Sequence, residues 1–123
     1  MAKKVLIADD DDMVRNLIKL TIRDDGYEVH EACDGIEALD MAREIMPDLI
    51  VMDVMMPGKV GYQVCQELKE DPDTRQIFVM FLTARGGSLS KETVELSGGD
   101  AFLSKPFTPR ELRELIQKAL SRA

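Results

Sequence analysis

Four consecutive aspartates, Asp9 to Asp12, follow a short apolar run in this sequence of 123 residues. Neighbouring carboxylates repel each other: two of them about 4 Å apart cost on the order of 4 kcal/mol at an effective dielectric constant of about 20. A further aspartate, Asp53, ends the apolar stretch "DLIVMD". The aspartate run is therefore either a solvated acidic turn or part of a site for a hard cation.

The chemistry of these carboxylates depends on the charges that lie opposite them. Asp9, Asp10 and Asp53 bring a charge of about −3, and Mg²⁺ together with Lys105 brings about +3. Such a site suits phosphoryl transfer, in which catalysis is mostly positioning and electrostatic stabilisation. A carboxylate can be the nucleophile in this reaction and form an aspartyl phosphate.

An alternation of strands and helices is predicted to position these residues. Apolar or alternating stretches predict strands at 5–8, 27–32, 48–53, 76–82 and 100–104. An amphipathic helical pattern follows each strand, and the fourth of these predicted helices covers 89–97. Five strand–helix units in this order imply an α/β fold, with a parallel sheet that carries helices on both faces.

Three of the predicted helices carry N-terminal capping signals. Asp11 and Asp12 are interpreted as an N-cap and a first-turn acid rather than as metal ligands. Asp34 is the predicted N-cap of the second helix, and "TPRE" from Thr108 reads as a capping box. The inward-facing residues of the second helix are predicted to be Ile36, Leu39, Ala42 and Met46.

Ligands of open parallel sheets bind beyond the carboxyl ends of the strands, where the strand order reverses. The polar residues at these predicted ends are Asp9 and Asp10 after the first strand, Asp53 after the third, Thr83 after the fourth and Lys105 after the fifth. The second strand ends with nothing comparable. The sequence therefore predicts that three carboxylates, a hydroxyl and an ammonium group share one edge of the sheet.

Composition excludes several classes of function. The formal net charge of −7 argues against direct nucleic-acid binding, which needs clustered Lys and Arg. No apolar run reaches the length of a signal peptide or a membrane span, which predicts a cytoplasmic protein without membrane insertion. Cys33 and Cys65 have no metal-binding spacing and are interpreted as packed, reduced thiols. His30 is interpreted as exposed and inert.

Three competing chemistries fit the sequence poorly. A flavin-binding protein of similar fold would place Ser, Thr or Gly after the first strand, where this chain has aspartates that repel phosphate. A haloacid-dehalogenase phosphatase matches the Asp9-x-Asp11 spacing, but its further motifs and cap insertion do not fit a chain this short. An EF-hand fails because Met13 stands where a third ligand is needed.

Over essentially its whole length the sequence resembles the receiver domain of two-component response regulators, the chemotaxis-receiver-like family. The matching motifs are "VLIADD", "DLIVMDVMMPG", "FLTAR" and "DAFLSKPF", in the family's order and spacing. The resemblance implies a flavodoxin-like, doubly wound (βα)5 three-layer sandwich with strand order 2-1-3-4-5. It also implies a single receiver domain over 1–123, with no output domain in this chain.

The resemblance assigns the acidic residues to a Mg²⁺-dependent phosphorylation site. Asp53 corresponds to the phosphoacceptor, and Asp9 and Asp10 correspond to the acidic pair of the family. Asp10 is expected to bind Mg²⁺ directly and Asp9 largely through water, while the backbone carbonyl of Met55 is a further ligand.

The resemblance also implies a conformational switch. Thr83 and Lys105 correspond to the residues that hold the phosphoryl oxygens, and Lys105–Pro106 to a peptide bond that is usually cis. Phe102 corresponds to an aromatic residue that turns inward as Thr83 moves toward the phosphoryl group. The responding face is expected to consist of the fourth predicted helix, the fifth strand and the fifth helix.

Two departures from the family pattern stand out. Val60 replaces a common Asp before Gly61, which predicts weaker hydrogen bonding in that loop. Met55 and Arg85 occupy variable positions that tune the phosphoryl lifetime in the family, and their combination assigns no lifetime here.

The resemblance implies a histidine kinase or a histidine phosphotransfer protein as phosphodonor, and a downstream protein as partner of the responding face. The domain is expected to catalyse only its own phosphorylation and dephosphorylation, and so is not an enzyme with an independent substrate. Two alternatives remain open at this point: a pseudo-receiver that acts without phosphorylation, and a receiver that is a fragment of a larger regulator.

Overall fold

Five parallel strands form one sheet in the order β2-β1-β3-β4-β5, which confirms the predicted order 2-1-3-4-5. The computed structural model describes residues 2–84 and 98–121. Its strands are β1 (Lys4–Ala8), β2 (Glu28–Ala32), β3 (Leu49–Asp53), β4 (Phe78–Ala84) and β5 (Ala101–Lys105). Each strand was predicted to within two residues at either end.

Four α-helices are described: α1 (Asp12–Ile22), α2 (Gly35–Ile45), α3 (Gly61–Glu70) and α4 (Pro109–Leu120). A short 3-10 helix (Arg23–Asp25) follows α1. The last helix, α4, corresponds to the fifth helix of the sequence prediction. The helix predicted at 89–97 lies outside the described residues.

The strand residues alternate between two separate cores, one on each face of the sheet. On one face Leu6, Ala8, Ile50 and Met52 pack with α2 and α3. On the other face Val5, Ile7, Leu49 and Val51 pack with α1 and α4. Both faces of the central strands are buried, so their side chains form near-continuous apolar runs, as the sequence shows. The doubly wound three-layer α/β fold is therefore confirmed.

The predicted capping interactions are present. The Asp11 carboxylate accepts a hydrogen bond from the Met13 amide at the start of α1. The Asp34 carboxylate does the same for the Glu37 amide, and Thr108 forms a complete capping box with Glu111. These caps fix where three helices begin, and each begins just beyond the carboxyl end of a strand.

Part of the prediction for α2 is wrong. Ile36 is 53% exposed and Met46 is 38% exposed, although both were assigned to the inward face. Ile36 lies in the first turn of α2, beside the loop at Gly58 rather than over the sheet. Met46 is the C-cap residue in a left-handed conformation with φ of 50°, so the helical periodicity no longer applies to it.

The prediction of packed cysteines holds for one of the two. Cys65 is a buried free thiol of α3, but Cys33 is exposed. Cys33 lies in the turn between β2 and α2, where the chain leaves the core, and its thiol donates to the Glu37 carboxylate at 3.5 Å. His30 is partly exposed on the edge strand β2 and pairs with Glu28 at 2.8 Å.

Candidate functional site

The carboxyl ends of β1, β3 and β5 bring four charged side chains together. Asp9 and Asp10 directly follow β1, Asp53 is the last residue of β3, and Lys105 is the last residue of β5. Carboxylate oxygens of Asp9, Asp10 and Asp53 all lie within 4.8 Å of one another. Residues separated by more than 40 positions in sequence thus form one acidic cluster with a single lysine.

Asp9 is the most buried member of the cluster, with 1% of its surface exposed. Its amide donates to the Ala32 carbonyl at 3.1 Å, which ties it to β2. Its carboxylate accepts the Asp11 amide at 2.9 Å and the Lys105 ammonium at 3.4 Å. Burial raises the pKa of the Asp9 carboxyl, and the negative charge of Asp53 adds to this, outweighing the Asp11 hydrogen bond and Lys105. Asp10, by contrast, is exposed.

Asp53 lies at the same edge of the sheet, at the end of β3, with 14% of its side chain exposed. Its carboxylate accepts the Lys105 ammonium at 3.1 Å through Oδ2 and the Met55 amide at 3.1 Å through Oδ1. The start of α3 packs against its backbone: a Cβ at Gly61 would lie 2.6 Å from the Asp53 carbonyl oxygen. Glycine at this position therefore lets α3 approach the strand end that carries Asp53.

Lys105 bridges the two aspartates of the central strands. Burial lowers the pKa of its ammonium group, but the hydrogen bond and charge of Asp53 and the charge of Asp9 outweigh burial and raise it. Lys105 is therefore charged at neutral pH. One ammonium faces three carboxylates, so the cluster carries an excess negative charge that a divalent cation can neutralise.

The donor set of this cluster fits Mg²⁺. Carboxylate oxygens are the hard ligands that this ion prefers, and it is bound through one or two of them together with carbonyls and waters. Asp10 and Asp53 offer such oxygens from neighbouring strands, with Asp9 behind them. Met55 lies two residues beyond the end of β3, and its amide donates to the Asp53 carboxylate.

Thr83 and Phe102 lie on β4 and β5, beside this edge. Asp53 pairs with Leu82 across the sheet, so Thr83 stands one residue beyond Asp53. The partner of Thr83 on β5 is Ser104.

Phe102 is 38% exposed and stacks on Phe81, with ring centroids 5.7 Å apart. The Lys105–Pro106 peptide bond is cis, as the resemblance implied. Arg85 lies outside the described residues.

Two residues around the site escaped the sequence analysis. Arg15 of α1 donates to the Asp9 carbonyl at 2.6 Å, and it also pairs with Glu31 of β2. The second strand thus contributes to this edge through Glu31, although no polar residue after its end was singled out. The pairing joins residues 16 positions apart on different elements, so no local pattern signals it.

The loop between β3 and α3 contains Val60, which stands where the family commonly has an Asp. Val60 is the N-cap of α3 and makes no side-chain capping hydrogen bond. A valine side chain has no hydrogen-bond acceptor, so this cap position supplies no side-chain bond, and weaker hydrogen bonding in the loop as a whole stays a prediction. The backbone compensates in part, since the Gly61 amide donates to the Val54 carbonyl at 2.7 Å.

Residues 5–117 match the family model of the response regulator receiver domain. The chain belongs to this family. Receiver domains act in two-component signal transduction, so the domain is a signalling module of such a system. The recognition made from the four sequence motifs is confirmed.

Relatives and solved structures agree with this assignment. A DNA-binding dual master transcriptional regulator, RpaA, from a Synechocystis strain is 38% identical over 97% of this chain and 49% of its own length. A response regulator from Chloroflexus aurantiacus is 36% identical, with a TM-score of 0.91 over 99% of this chain and 100% of that one. The receiver domain of a sensor histidine kinase from Pseudomonas aeruginosa is 27% identical, with a TM-score of 0.88 over 99% of this chain and 100% of that one.

These comparisons refine the expectations about metal and partners. The Pseudomonas receiver domain has a magnesium ion coordinated in its active-site cleft. This receiver domain spans about half the length of the curated relatives it matches, 49% in the case of RpaA. Because that relative is a DNA-binding regulator, the expectation that this chain makes no direct nucleic-acid contact is not supported. No helix within 2–84 and 98–121 is long and apolar enough to cross a membrane.

Proposed function

We propose that this receiver domain accepts a phosphoryl group on Asp53 in a Mg²⁺-dependent reaction. The observation that carries the proposal is the convergence of three carboxylates within 4.8 Å, with Lys105 hydrogen-bonded to two of them. The phosphodonor is a histidine kinase or a histidine phosphotransfer protein. The domain catalyses only its own phosphorylation and dephosphorylation and turns over no independent substrate.

The acidic residues divide into an acceptor and its metal ligands. Asp10, Asp53 and the backbone carbonyl of Met55 would hold Mg²⁺, and Asp9 would act through water. The ion would supply positive charge that offsets repulsion between the carboxylates and the incoming phosphoryl oxygens. Asp53 is the acceptor in this proposal, and its carboxylate is held in place by Lys105 and by the amide of Met55.

The transfer itself exchanges one bond for another. A carboxylate oxygen of Asp53 attacks the phosphorus atom, forming the acyl phosphate bond as the P–N bond to the donor histidine breaks. The leaving imidazole keeps the electron pair of the broken bond and takes up a proton. Lys105 shifts from a carboxylate partner to a partner of the phosphoryl oxygens, and so stabilises the negative charge on them.

A switch follows from the new acceptor that the phosphoryl group provides. Thr83 stands one residue beyond Asp53 across the sheet and donates its hydroxyl hydrogen to a phosphoryl oxygen. Its movement opens space for Phe102, which is now 38% exposed, to turn inward. The bare carboxylate offers Thr83 no such contact, so phosphorylation biases two conformations of one surface. That surface, which includes β5 and α4, binds the downstream protein.

Radiolabelled acetyl phosphate in the presence of Mg²⁺ tests the assignment. Wild type is expected to acquire label, and Asp53→Asn is expected to acquire none. Asp34→Asn is the matched control, because the same chemical change leaves an N-cap residue of nearly equal quality at the start of α2. Undiminished labelling of Asp53→Asn would overturn the proposal.

A further inference from the structure

Arg15 connects the turn that carries the acidic pair to the edge strand of the sheet. Its Nη1 donates to the Asp9 carbonyl at 2.6 Å, and its Nε donates to the Glu31 carboxylate on β2 at 3.2 Å. Its Nη2 pairs with Asp12 in the first turn of α1. Only 13% of the Arg15 side chain is exposed. A guanidinium is a rigid, planar fork of donors, so it holds these acceptors at fixed relative positions.

A hydrogen bond to the backbone carbonyl of Asp9 restrains the orientation of the next residue, Asp10. It belongs to the peptide between Asp9 and Asp10, so a hydrogen bond to it fixes the plane from which Asp10 leaves the backbone. Asp10 itself is exposed, and no hydrogen bond to its carboxylate is present within the described residues. The direction of the Asp10 side chain therefore depends on its backbone, which Arg15 restrains.

Glu31 on β2 is the partner that holds the Arg15 guanidinium to the edge strand of the sheet. Its carboxylate also accepts the Lys19 ammonium at 3.0 Å, one turn further along α1. The hydrogen bond from Lys19, and after it the one from Arg15, hold the pKa of Glu31 below its usual value. Glu31 thus stays charged at neutral pH, and it anchors Arg15 to β2 of the sheet, in addition to the pair that Arg15 makes with Asp12 on its own helix.

We propose that Arg15 is a positioning residue for the Mg²⁺ site, holding the Asp9–Asp10 peptide so that the Asp10 carboxylate faces Asp53. The proposal rests on the proposed function, since it takes Asp10 and Asp53 as the Mg²⁺ ligands. Residues that orient metal ligands from behind typically contribute 10–100-fold, roughly, to metal affinity.

The sign of the effect separates positioning from simple electrostatics. Arg15 carries a positive charge near a cation site, so by Coulomb's law its removal tightens Mg²⁺ binding. A positioning role predicts the opposite, because the Asp10 carboxylate then samples directions that do not face Asp53. Lys19 provides the matched control: it pairs with the same Glu31 carboxylate but does not contact Asp9.

Titration with MgCl₂ of wild type, Arg15→Gln and Lys19→Gln tests the proposal. The chain has no tryptophan, so backbone amide shifts at 9–11 and 53–55 report binding. Arg15→Gln is expected to weaken Mg²⁺ binding by about tenfold. Lys19→Gln is expected to change it by less than about twofold, since it removes only a partly exposed ion pair. Equal affinities for the two variants, or tighter binding by Arg15→Gln, would overturn the positioning role.

The wild-type titration and one further variant keep the outcomes distinct. If wild type shows no Mg²⁺-dependent shifts at 9–11 and 53–55, the proposed function fails and the role of Arg15 falls with it. If wild type binds, only the comparison of variants decides about Arg15. Arg15→Lys replaces Arg15→Gln should the latter not fold: the ammonium keeps the charge without the fork, so weakened binding supports the proposal and wild-type affinity overturns it.

Discussion

Two lysine–aspartate clusters stand at opposite ends of the same sheet, and they differ in how completely their charges are paired. At the carboxyl end Lys105 faces Asp9, Asp10 and Asp53, which we call the carboxyl-end cluster. At the amino end Lys69 of α3 faces Asp100, which precedes β5, and we call this pair the amino-end cluster. Residue types alone do not separate a structural cluster from a ligand site.

The amino-end cluster is satisfied by the protein itself. The Lys69 ammonium donates to the Ile77 carbonyl at 2.7 Å, the Arg75 carbonyl at 3.2 Å and the Asp100 carboxylate at 2.9 Å. The same oxygen of Asp100 also accepts the Val79 amide at 2.9 Å. All three ammonium hydrogens have acceptors and the two charges cancel, so this cluster needs nothing from outside.

The carboxyl-end cluster is left with an excess of negative charge. Among residues 2–84 and 98–121, Lys105 donates hydrogen bonds to Asp9 and Asp53. Asp9 is 1% exposed, where an uncompensated charge is costly. Functional sites often retain such unfavourable groups because a ligand compensates them. Unbalanced charge, rather than the presence of a Lys–Asp pair, therefore distinguishes the proposed Mg²⁺ site from the amino-end cluster.

Replacing each lysine by methionine gives the largest expected effects on stability. Lys69→Met and Lys105→Met are each expected to lower the free energy of unfolding by about 2 kcal/mol without Mg²⁺, because charge-assisted hydrogen bonds are lost. Mg²⁺ is expected to restore much of the loss in Lys105→Met, since the ion replaces the missing positive charge. It should not restore the stability of Lys69→Met, because Asp100 offers one carboxylate rather than the convergent set of three at the carboxyl-end cluster.

Urea denaturation with and without MgCl₂ measures this difference. An equal recovery of the two lysine variants on adding Mg²⁺ would contradict the proposed difference between the clusters. CaCl₂ at the same concentration is a useful control for ionic strength and for selectivity between the two ions.

The aspartates of the two clusters are expected to respond in opposite directions. Asp53→Asn removes one of three repelling carboxylates and is expected to raise the free energy of unfolding by about 1 kcal/mol without Mg²⁺. Asp100→Asn weakens the bonds to Lys69 and to the Val79 amide, and is expected to lower it by about 1.5 kcal/mol. Thermal unfolding in the presence of a chelator measures both, and changes of the same sign would contradict the account.

A smaller effect is expected in the pH dependence of stability. Burial, followed by the charge of Asp53, raises the folded-state pKa of Asp9 above 3.8, so its ionised form destabilises the folded protein. Asp9→Asn is therefore more stable than wild type at neutral pH. This advantage is lost as the pH falls through the raised pKa toward 3.8, because wild-type Asp9 becomes protonated in the folded state.

Glu31→Gln provides a control of opposite sign for the pH measurement. Hydrogen bonds, first from Lys19, lower the folded-state pKa of Glu31 below 4.5, so its ionised form stabilises the protein above that pH. Glu31→Gln is less stable than wild type at neutral pH, and the difference shrinks as the pH falls through the lowered pKa. Parallel pH profiles for Asp9→Asn and Glu31→Gln would contradict the assignment of the two environments.

Much of the fold follows from local sequence signals. The buried runs of β1, β3 and β4 are long enough to be recognised without tertiary information, and the caps at Asp34 and Thr108 depend on residues three positions apart. The strand order came from the family resemblance, since periodicity alone does not say which parallel strands are neighbours. The carboxyl-end cluster was predictable because all strands of a parallel sheet end at the same edge.

The features that were missed depend on contacts between distant elements. Ile36 and Met46 keep the apolar type of core residues, but they lie at the two ends of α2, where the helix no longer faces the sheet. Arg15 and Glu31 look like ordinary surface charges in the sequence, and only the packing of α1 against β2 brings them together. Exposure of Cys33 likewise depends on where β2 ends relative to α2.

The most direct test of the central claim is to locate the phosphoryl group and its metal requirement together. Wild-type protein is incubated with radiolabelled acetyl phosphate in Mg²⁺ or in a chelator, and the labelled peptide is identified after digestion. Label is expected in the presence of Mg²⁺ but not in the chelator, and only on the peptide that contains Asp53. Label on a peptide without Asp53, or equal labelling in the chelator, would contradict it.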